Sequence, residues 1–214
     1  MASLKLQIKL QAARVYGILD TTYLTFDAMT KVVEQLLQGG IDLLQLRAKH
    51  STKEEIIAMG RAILPFTRAA GIPLLLNDYP DLVKIVGAQG AHVGQEDMSL
   101  QEARALVGEE AILGLSTHSL EQVQQSIAQQ PDYIGFGPLF PTPTKPDAPS
   151  IGLTNIAAAQ SMVDFPLFCI GGINLRTLPQ VIDAGAHLVV MVSALLNDEN
   201  RVELIPKIKK LLPQ

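Results

Sequence analysis

The run Leu43-Leu44-Gln45-Leu46-Arg47-Ala48-Lys49 alternates apolar and polar side chains. A segment of helical period from Lys53 to Ala70 follows it, and then a second aliphatic run from Pro73 to Asn77. Successive residues of a strand point to opposite faces, so Gln45, Arg47 and Lys49 share one face and Leu44 and Leu46 the other. Strand, helix and strand in that order form a βα repeat, whose strands pair in parallel. Outward from this unit, the same alternation yields strands at Val15 to Leu19, Ala91 to Val93, Ile112 to Ser116, Tyr133 to Phe136, Leu167 to Ile170 and Leu188 to Val192. Segments of helical period lie between them, at Phe26 to Gln38, Pro80 to Val86, Leu100 to Val107, Leu120 to Gln129, Asn155 to Met162, Leu178 to Asp183 and Val202 to Leu211. Eight such units, with no linker or low-complexity tract, predict an α/β protein: a single closed (β/α)8 TIM barrel over residues 1–214 with a short N-terminal helical extension. An open doubly wound sheet shares the alternation, but the GxGxxG turn of its dinucleotide-binding form is missing after the first strand.

Boundary chemistry agrees with these elements. Ser51-x-x-Glu54, Ser99-x-x-Glu102 and Ser119-x-x-Gln122 have the spacing of capping boxes. Gly39, Gly71, Gly87, Gly108 and Gly185 stand where helices should stop, and Pro65 should kink the helix that contains it.

The chain is 48% hydrophobic and 18% charged, the profile of a globular domain rather than a disordered one. Its net charge of -4 and its lack of a long Lys/Arg run argue against sequence-independent binding to nucleic acid or an anionic membrane. No apolar run reaches membrane-spanning length. The first residues lack the apolar stretch of a signal peptide and read as a short amphipathic turn, with Leu4 and Ile8 beside Lys5 and Lys9. The single cysteine, Cys169, excludes an intrachain disulfide and a multi-cysteine metal centre; it reads as core packing and points to a cytoplasmic protein.

In a barrel of this kind the C-terminal strand ends and the loops after them build the active site. Gln45, Arg47 and Lys49 put an amide and two cations at that mouth, where an anion is the natural partner: Arg offers a planar fork and Lys a point charge. Asn77-Asp78 follow the third strand and Gly94-Gln95-Glu96-Asp97 the fourth. Acidic side chains at adjacent strand ends, Asp78 and Asp97, suit Mg2+ completed by substrate phosphates, although Asp97 also stands where a helix-start carboxylate would. The fifth strand ends in Ser116-Thr117-His118-Ser119 without a GxSxG elbow or an orienting acid, so Ser116 reads as a hydrogen-bonding partner of a bound anion. His118 reads equally as a helix-entry or a catalytic residue, and His92 and His187 as structural histidines. The long connection from Gly135 to Pro146 has the features of a lid, with Thr142 and Thr144 on one side and Lys145 adding a charge. Gly171-Gly172 after the seventh strand and Val192-Ser193 after the eighth lie where this fold commonly binds phosphate.

The ordered set Gln45-Leu46-Arg47-Ala48-Lys49, Asn77-Asp78, His92-Val93-Gly94-Gln95-Glu96-Asp97, Ser116, Gly135-x-Gly137-Pro138-x-Phe140-Pro141-Thr142-x-Thr144-Lys145, Ile170-Gly171-Gly172-Ile173 and Val192-Ser193 resembles the thiamine-phosphate synthase family over nearly the whole chain. The resemblance implies a Mg2+-dependent transferase joining 4-amino-5-hydroxymethyl-2-methylpyrimidine pyrophosphate to hydroxyethylthiazole phosphate. The products are thiamine phosphate and pyrophosphate. Pyrophosphate departs first, and the thiazole nitrogen captures the pyrimidine methylene cation. On this resemblance Gln45 meets the pyrimidine, with Leu46, Ala48 and Pro143 among the substrate contacts, while Arg47, Lys49, Asn77 and Lys145 hold the pyrophosphate with help from Ser116. Arg47, Lys49, Ser116 and Lys145 are the catalytic set, and Asp78 and Asp97 bind Mg2+. Thr142, Thr144, Gly172, Val192 and Ser193 hold the thiazole phosphate. The partners are small molecules, with neither nucleic acid nor membrane, and a homo-oligomer stays open. Two alternatives stand beside this reading. The thiazole tautomerase branch shares the barrel but has often lost the acidic and pyrophosphate positions retained here as Arg47, Lys49, Asp78, Asp97 and Lys145. A non-catalytic regulator binding thiazole or thiamine phosphates finds no support in a helix-turn-helix signature or a basic stripe. The chain departs from the family's usual residues at Tyr79, where Arg is common, and at Leu19, where Thr usually precedes the Asp.

Overall fold

The computed structural model describes residues 2–142, 144 and 148–213. Its strands are β1 (Val15–Asp20), β2 (Leu43–Arg47), β3 (Leu74–Asn77), β4 (Gly90–Val93), β5 (Ile112–Thr117), β6 (Tyr133–Phe136), β7 (Leu167–Cys169) and β8 (Leu188–Met191). Each pairs in parallel with the next, and β8 returns to β1, so the sheet closes in chain order as the sequence predicts. Helices α1 (Leu4–Ala12), α2 (Phe26–Gln38), α3 (Lys53–Ala70), α4 (Val83–Val86), α5 (Leu100–Val107), α6 (Leu120–Gln129), α7 (Ile156–Ser161), α8 (Leu178–Asp183), α9 (Ser193–Leu196) and α10 (Arg201–Leu211) complete the units. The helix expected from Pro80 divides into a 3-10 turn, Pro80–Leu82, and α4, while α9 is an addition.

Local chemistry corrects two expectations. The capping box of α3 is Thr52 with Glu55, one residue on from Ser51 and Glu54, because the cap must directly precede Lys53. Thr52 Oγ1 accepts the Glu55 N–H at 3.3 Å, and Glu55 accepts the Thr52 N–H at 2.8 Å. On α1 the packed face is Leu6 and Leu10, whereas Leu4 and Ile8 are 73% and 59% exposed. Ser99 and Glu102 form their box as expected, and Pro65 sits inside α3 without ending it.

The alternation along each strand separates two apolar layers. Leu44, Leu46, Leu74 and Leu76 pack outward against helix residues such as Met29, Val33, Ile56 and Ile63. Inside the barrel, Ile18, Leu43, Leu75, Ile112 and Val190 surround Tyr16, Tyr133 and Phe168, whose ring centroids stand 5.5–5.8 Å apart at steep angles. Edge-to-face pairs of this kind contribute about 1 kcal/mol each beyond their burial. Gly114 on β5 makes room for them, since a Cβ there would stand 2.1 Å from the Tyr133 ring. Below this plug, Ala2, Leu10 and Ala13 of the N-terminal segment close the lower end. Among the described residues the barrel interior is thus packed at this level, and a cavity opens above it at the C-terminal strand ends.

Candidate active site

A concave space occupies that upper end. Of the residues expected to face one mouth, Gln45, Arg47, Asn77, Ser116, Gly172 and Ser193 line it, as do Thr142, Thr144 and Val192, whereas Asp97 stands outside its lining. They come from different strand ends and the loops after them, which the closed barrel brings together. Pro143 and Lys145 lie outside the described residues, as does Pro146.

On the β2–β3 side the cations are not free. Arg47 Nη1 donates to buried Asp20 at the end of β1, a partner that the sequence reading did not assign. The pair fixes the guanidinium against the wall and leaves its other donors for the cavity. Lys49 lies beyond the end of β2 rather than on its inner face; its side chain is 40% exposed and meets Asp78 at 3.0 Å. Leu46 and Ala48 bury their side chains in the layer between strands and helices, so they can reach a ligand only through their backbone.

Asp78 adopts φ 61, the left-handed region, and its N–H donates to His92 O at 2.8 Å. Asp tolerates that conformation better than most residues, and such departures cluster at functional sites. The turn brings the Asp78 carboxyl within hydrogen-bonding reach of Asp97. Burial pushes Asp78 above the ordinary carboxylate range; Lys49 pulls it back, and the charge of Asp97 pushes it further up. Asp97 Oδ2 accepts the Gly94 N–H at 2.7 Å and so closes the β4 turn, while Ser99 and Glu102 cap α5. The helix-start alternative for Asp97 is thereby replaced.

These two carboxylates suit Mg2+. Both are hard oxygen donors, they repel one another, and an ammonium already sits against one of them. No third His, Cys, Asp or Glu joins them among the described residues. Mg2+ commonly takes one or two carboxylates and fills its octahedron with water and phosphate oxygens.

The floor joins Gln45 to His92, which the sequence suggested as structural, and to Tyr16 and Tyr133, to which it assigned no role. Gln45 Nε2 donates to Tyr16 Oη, which lies 3.0 Å from Tyr133 Oη; His92 bridges Tyr133 Oη at 2.8 Å and Ser116 Oγ at 2.9 Å. His92 thus connects the core to the cavity. The available signal was that Tyr16, Gln45, His92 and Tyr133 all occupy strands, at positions where alternation turns a polar group inward. His118 takes the helix-entry place, its N–H donating to Gln122 at the start of α6, and its ring lines the cavity while bonded to Gly137 O.

On the opposite side Gly171 and Gly172 have φ 102 and 67. Thr177 Oγ1 donates to Gly172 O at 3.1 Å and anchors the loop. A Cβ on Gly172 would lie 2.7 Å from Phe140 Cβ, so both backbone conformation and a protein neighbour demand glycine there, in addition to any ligand approach. Ser193 opens α9 at the cavity wall. Buried Cys169 has its thiol pushed up to about 12 by desolvation, so it stays protonated in the core.

A family model described as thiamine monophosphate synthase matches residues 15–195. The chain belongs to that family. The thiamine-phosphate synthase of Roseiflexus sp. (strain RS-1) is 42% identical over 183 residues, which cover 85% of this chain and 78% of that protein. That of Thermus thermophilus is 39% identical over 174 residues, 81% and 84% of the two chains. Among solved structures, the thiamine phosphate pyrophosphorylase from Pyrococcus furiosus superposes with a TM-score of 0.84 at 29% identity, covering 96% of this chain and 98% of that one. Membership of the thiamine monophosphate synthase family makes this barrel a transferase of thiamine biosynthesis. Among the described residues, no helix is long and apolar enough to cross a membrane.

Proposed function

We propose that the barrel mouth joins 4-amino-5-hydroxymethyl-2-methylpyrimidine pyrophosphate to hydroxyethylthiazole phosphate, giving thiamine phosphate and pyrophosphate. The observation that carries this reading is the division of one cavity into two anion-handling sides. Arg47 and Asn77 line one side, with Lys49 and the Asp78–Asp97 pair beyond the neighbouring strand ends, and Gly172, Ser193, Thr142 and Thr144 line the other.

The bond that breaks joins the pyrimidine methylene carbon to the pyrophosphate oxygen, which leaves with the electron pair. The thiazole nitrogen then supplies a lone pair to the methylene cation and forms the new C–N bond. This route needs charge stabilisation on the leaving group and a well-placed second substrate, and no protein nucleophile. Arg47, held by Asp20, and Lys49, on its flexible stem, stabilise the departing charge; Lys145 belongs to the same group by resemblance. Asn77 and Ser116 supply further hydrogen bonds, and Gln45 stands at the cavity floor where the pyrimidine ring would rest. Asp78 and Asp97 would hold Mg2+, which when bound neutralises pyrophosphate oxygens. The Gly171-Gly172 turn and the first residue of α9 hold the thiazole phosphate, orienting its ring nitrogen toward the methylene carbon. The phosphorylated substrates and the protonated, buried Cys169 suit a cytoplasmic setting.

A coupled assay for thiamine phosphate with both substrates and Mg2+ tests the reading. The expected result is equimolar thiamine phosphate and pyrophosphate, requiring both substrates. Tautomerisation of a thiazole carboxylate phosphate without C–N bond formation would identify the tautomerase branch instead. Tight binding of thiazole phosphate with no product at all would identify a regulator.

A further inference from the structure

The hydrogen bonds of the cavity floor run across the barrel through Gln45 Nε2, Tyr16 Oη, Tyr133 Oη, His92 Nδ1 and, through His92 Nε2, Ser116 Oγ, with Gln45 also meeting Tyr133. Gln45, Tyr16 and Tyr133 are at most 1% exposed and His92 is 9% exposed, so each donor and acceptor is settled inside the protein. Burial pushes both phenols well above their ordinary range, so each keeps its proton.

Direction follows from valence. An amide nitrogen only donates, and a hydroxyl has one proton to give. With Gln45 donating to it, Tyr16 has the Tyr133 oxygen as the acceptor for its own buried proton, and the Tyr133 proton then goes to His92 Nδ1. An imidazole that accepts at Nδ1 carries its proton at Nε2, and that proton points to Ser116 Oγ at 2.9 Å. Ser116 accepts there, and its own proton remains for the cavity.

We infer that Gln45, Tyr16, Tyr133 and His92 are a one-way line of donors that holds His92 as the Nε2–H tautomer and makes Ser116 a hydrogen-bond donor to the anion in the mouth. The Ser116–His92 contact looks like a nucleophile and its base, yet it runs in the opposite sense. With Nδ1 accepting and Nε2 protonated, His92 has no lone pair to take the serine proton. Ser116 thus serves the leaving group as a donor, and His92, Tyr133 and Tyr16 are positioning residues that act through it. The role at the anion rests on the proposed synthase reading, whereas the tautomer does not. If the Gln45 amide were turned over, its oxygen would face Tyr16 and every donor would reverse, leaving His92 as the Nδ1–H form.

Nitrogen-15 spectra of the full chain labelled at histidine, at neutral pH and without substrates, separate the two arrangements. The four histidines are His50, His92, His118 and His187, and the His92 signals are assigned by their loss in His92→Gln. The expected result is a protonated Nε2 and an unprotonated Nδ1. Tyr133→Phe keeps the ring and removes the donor to Nδ1, so the His92 signals should move toward a mixture of tautomers. The same variant should lower kcat about tenfold while changing KM for the pyrimidine pyrophosphate less than about threefold. Combined with Ser116→Ala, it should cost no more than Ser116→Ala alone, because the line acts through that hydroxyl. An Nδ1–H form or an imidazolium in the unmodified protein overturns the proposal. So do an unchanged tautomer in Tyr133→Phe and fully additive losses in the double variant. An Nε2–H signal in a protein that makes no thiamine phosphate would leave the line standing and remove the synthase reading.

Discussion

At its two ends the barrel holds carboxylates of the same kind in opposite circumstances. At the lower end Asp132 accepts from the Ala2 N–H at 2.7 Å, the Leu113 N–H at 2.8 Å and Arg104 Nη2 at 2.6 Å. Asp42 accepts from the Arg14 and Val15 N–H groups at 2.9 and 3.0 Å and from Lys209 at 2.5 Å. Each lower carboxylate is thus surrounded by donors that tie the chain ends to the strand starts. At the upper end Asp78 and Asp97 face one another, in a cradle where burial and mutual repulsion disfavour the charge of Asp78. Carboxylates satisfied within the protein hold a fold together, while carboxylates set against each other mark the place where a ligand completes the balance.

That contrast breaks most visibly at Asp132. Asp132→Ala leaves Arg104 and two N–H groups without their acceptor, and should lower stability by about 3 kcal/mol. Calorimetry should then show Tm falling by about 6–12 °C, with kcat retained at temperatures where the variant is folded. At the upper end the sign of the effect reverses. Lys49→Ala should leave Tm nearly unchanged, since its partly exposed pair contributes little to folding. Its kcat should fall on the order of 10²-fold, about 2.7 kcal/mol of transition-state stabilisation. A rise in KM alone, with kcat intact, would instead make Lys49 a uniform binder of the pyrophosphate. The smallest effect belongs to Gly172→Ala, which lies between the two cases. Its left-handed φ and the Phe140 contact should cost about 1–2 kcal/mol of stability. Calorimetric titration should show weakened thiazole phosphate binding beside nearly intact pyrimidine pyrophosphate binding. Equal weakening of both ligands would mean that the two sides of the cavity are not separate.

Much of this architecture was legible in the sequence because it rests on local periodicity. The helices from Phe26, Lys53, Leu100, Leu120 and Leu178 begin and end where apolar spacing, caps and glycines place them. The four-residue α9 was not, since a single turn carries too few positions to show a period. On α1 the pairs Leu4–Ile8 and Leu6–Leu10 have the same spacing, and only contact with the barrel floor selects the second. The site divides in the same way. Arg47, Asn77, Ser116 and Ser193 were legible because strand ends in this fold share one mouth. The Asp20–Arg47 pair and the Tyr16–Tyr133–His92 line were not, because they join residues 27, 117 and 41 positions apart through contacts that exist only once the barrel has closed.

The claim that the upper carboxylates serve the leaving group meets its most direct test in a single titration. Pyrophosphate release from the pyrimidine substrate, in the presence of thiazole phosphate, would be followed against Mg2+ in EDTA-treated buffer for the unmodified protein and for Asp78→Asn. The account predicts a rate that rises with Mg2+ and saturates in the unmodified protein, with the variant slower on the order of 10²-fold at every concentration. Full activity of Asp78→Asn without added Mg2+ would contradict it.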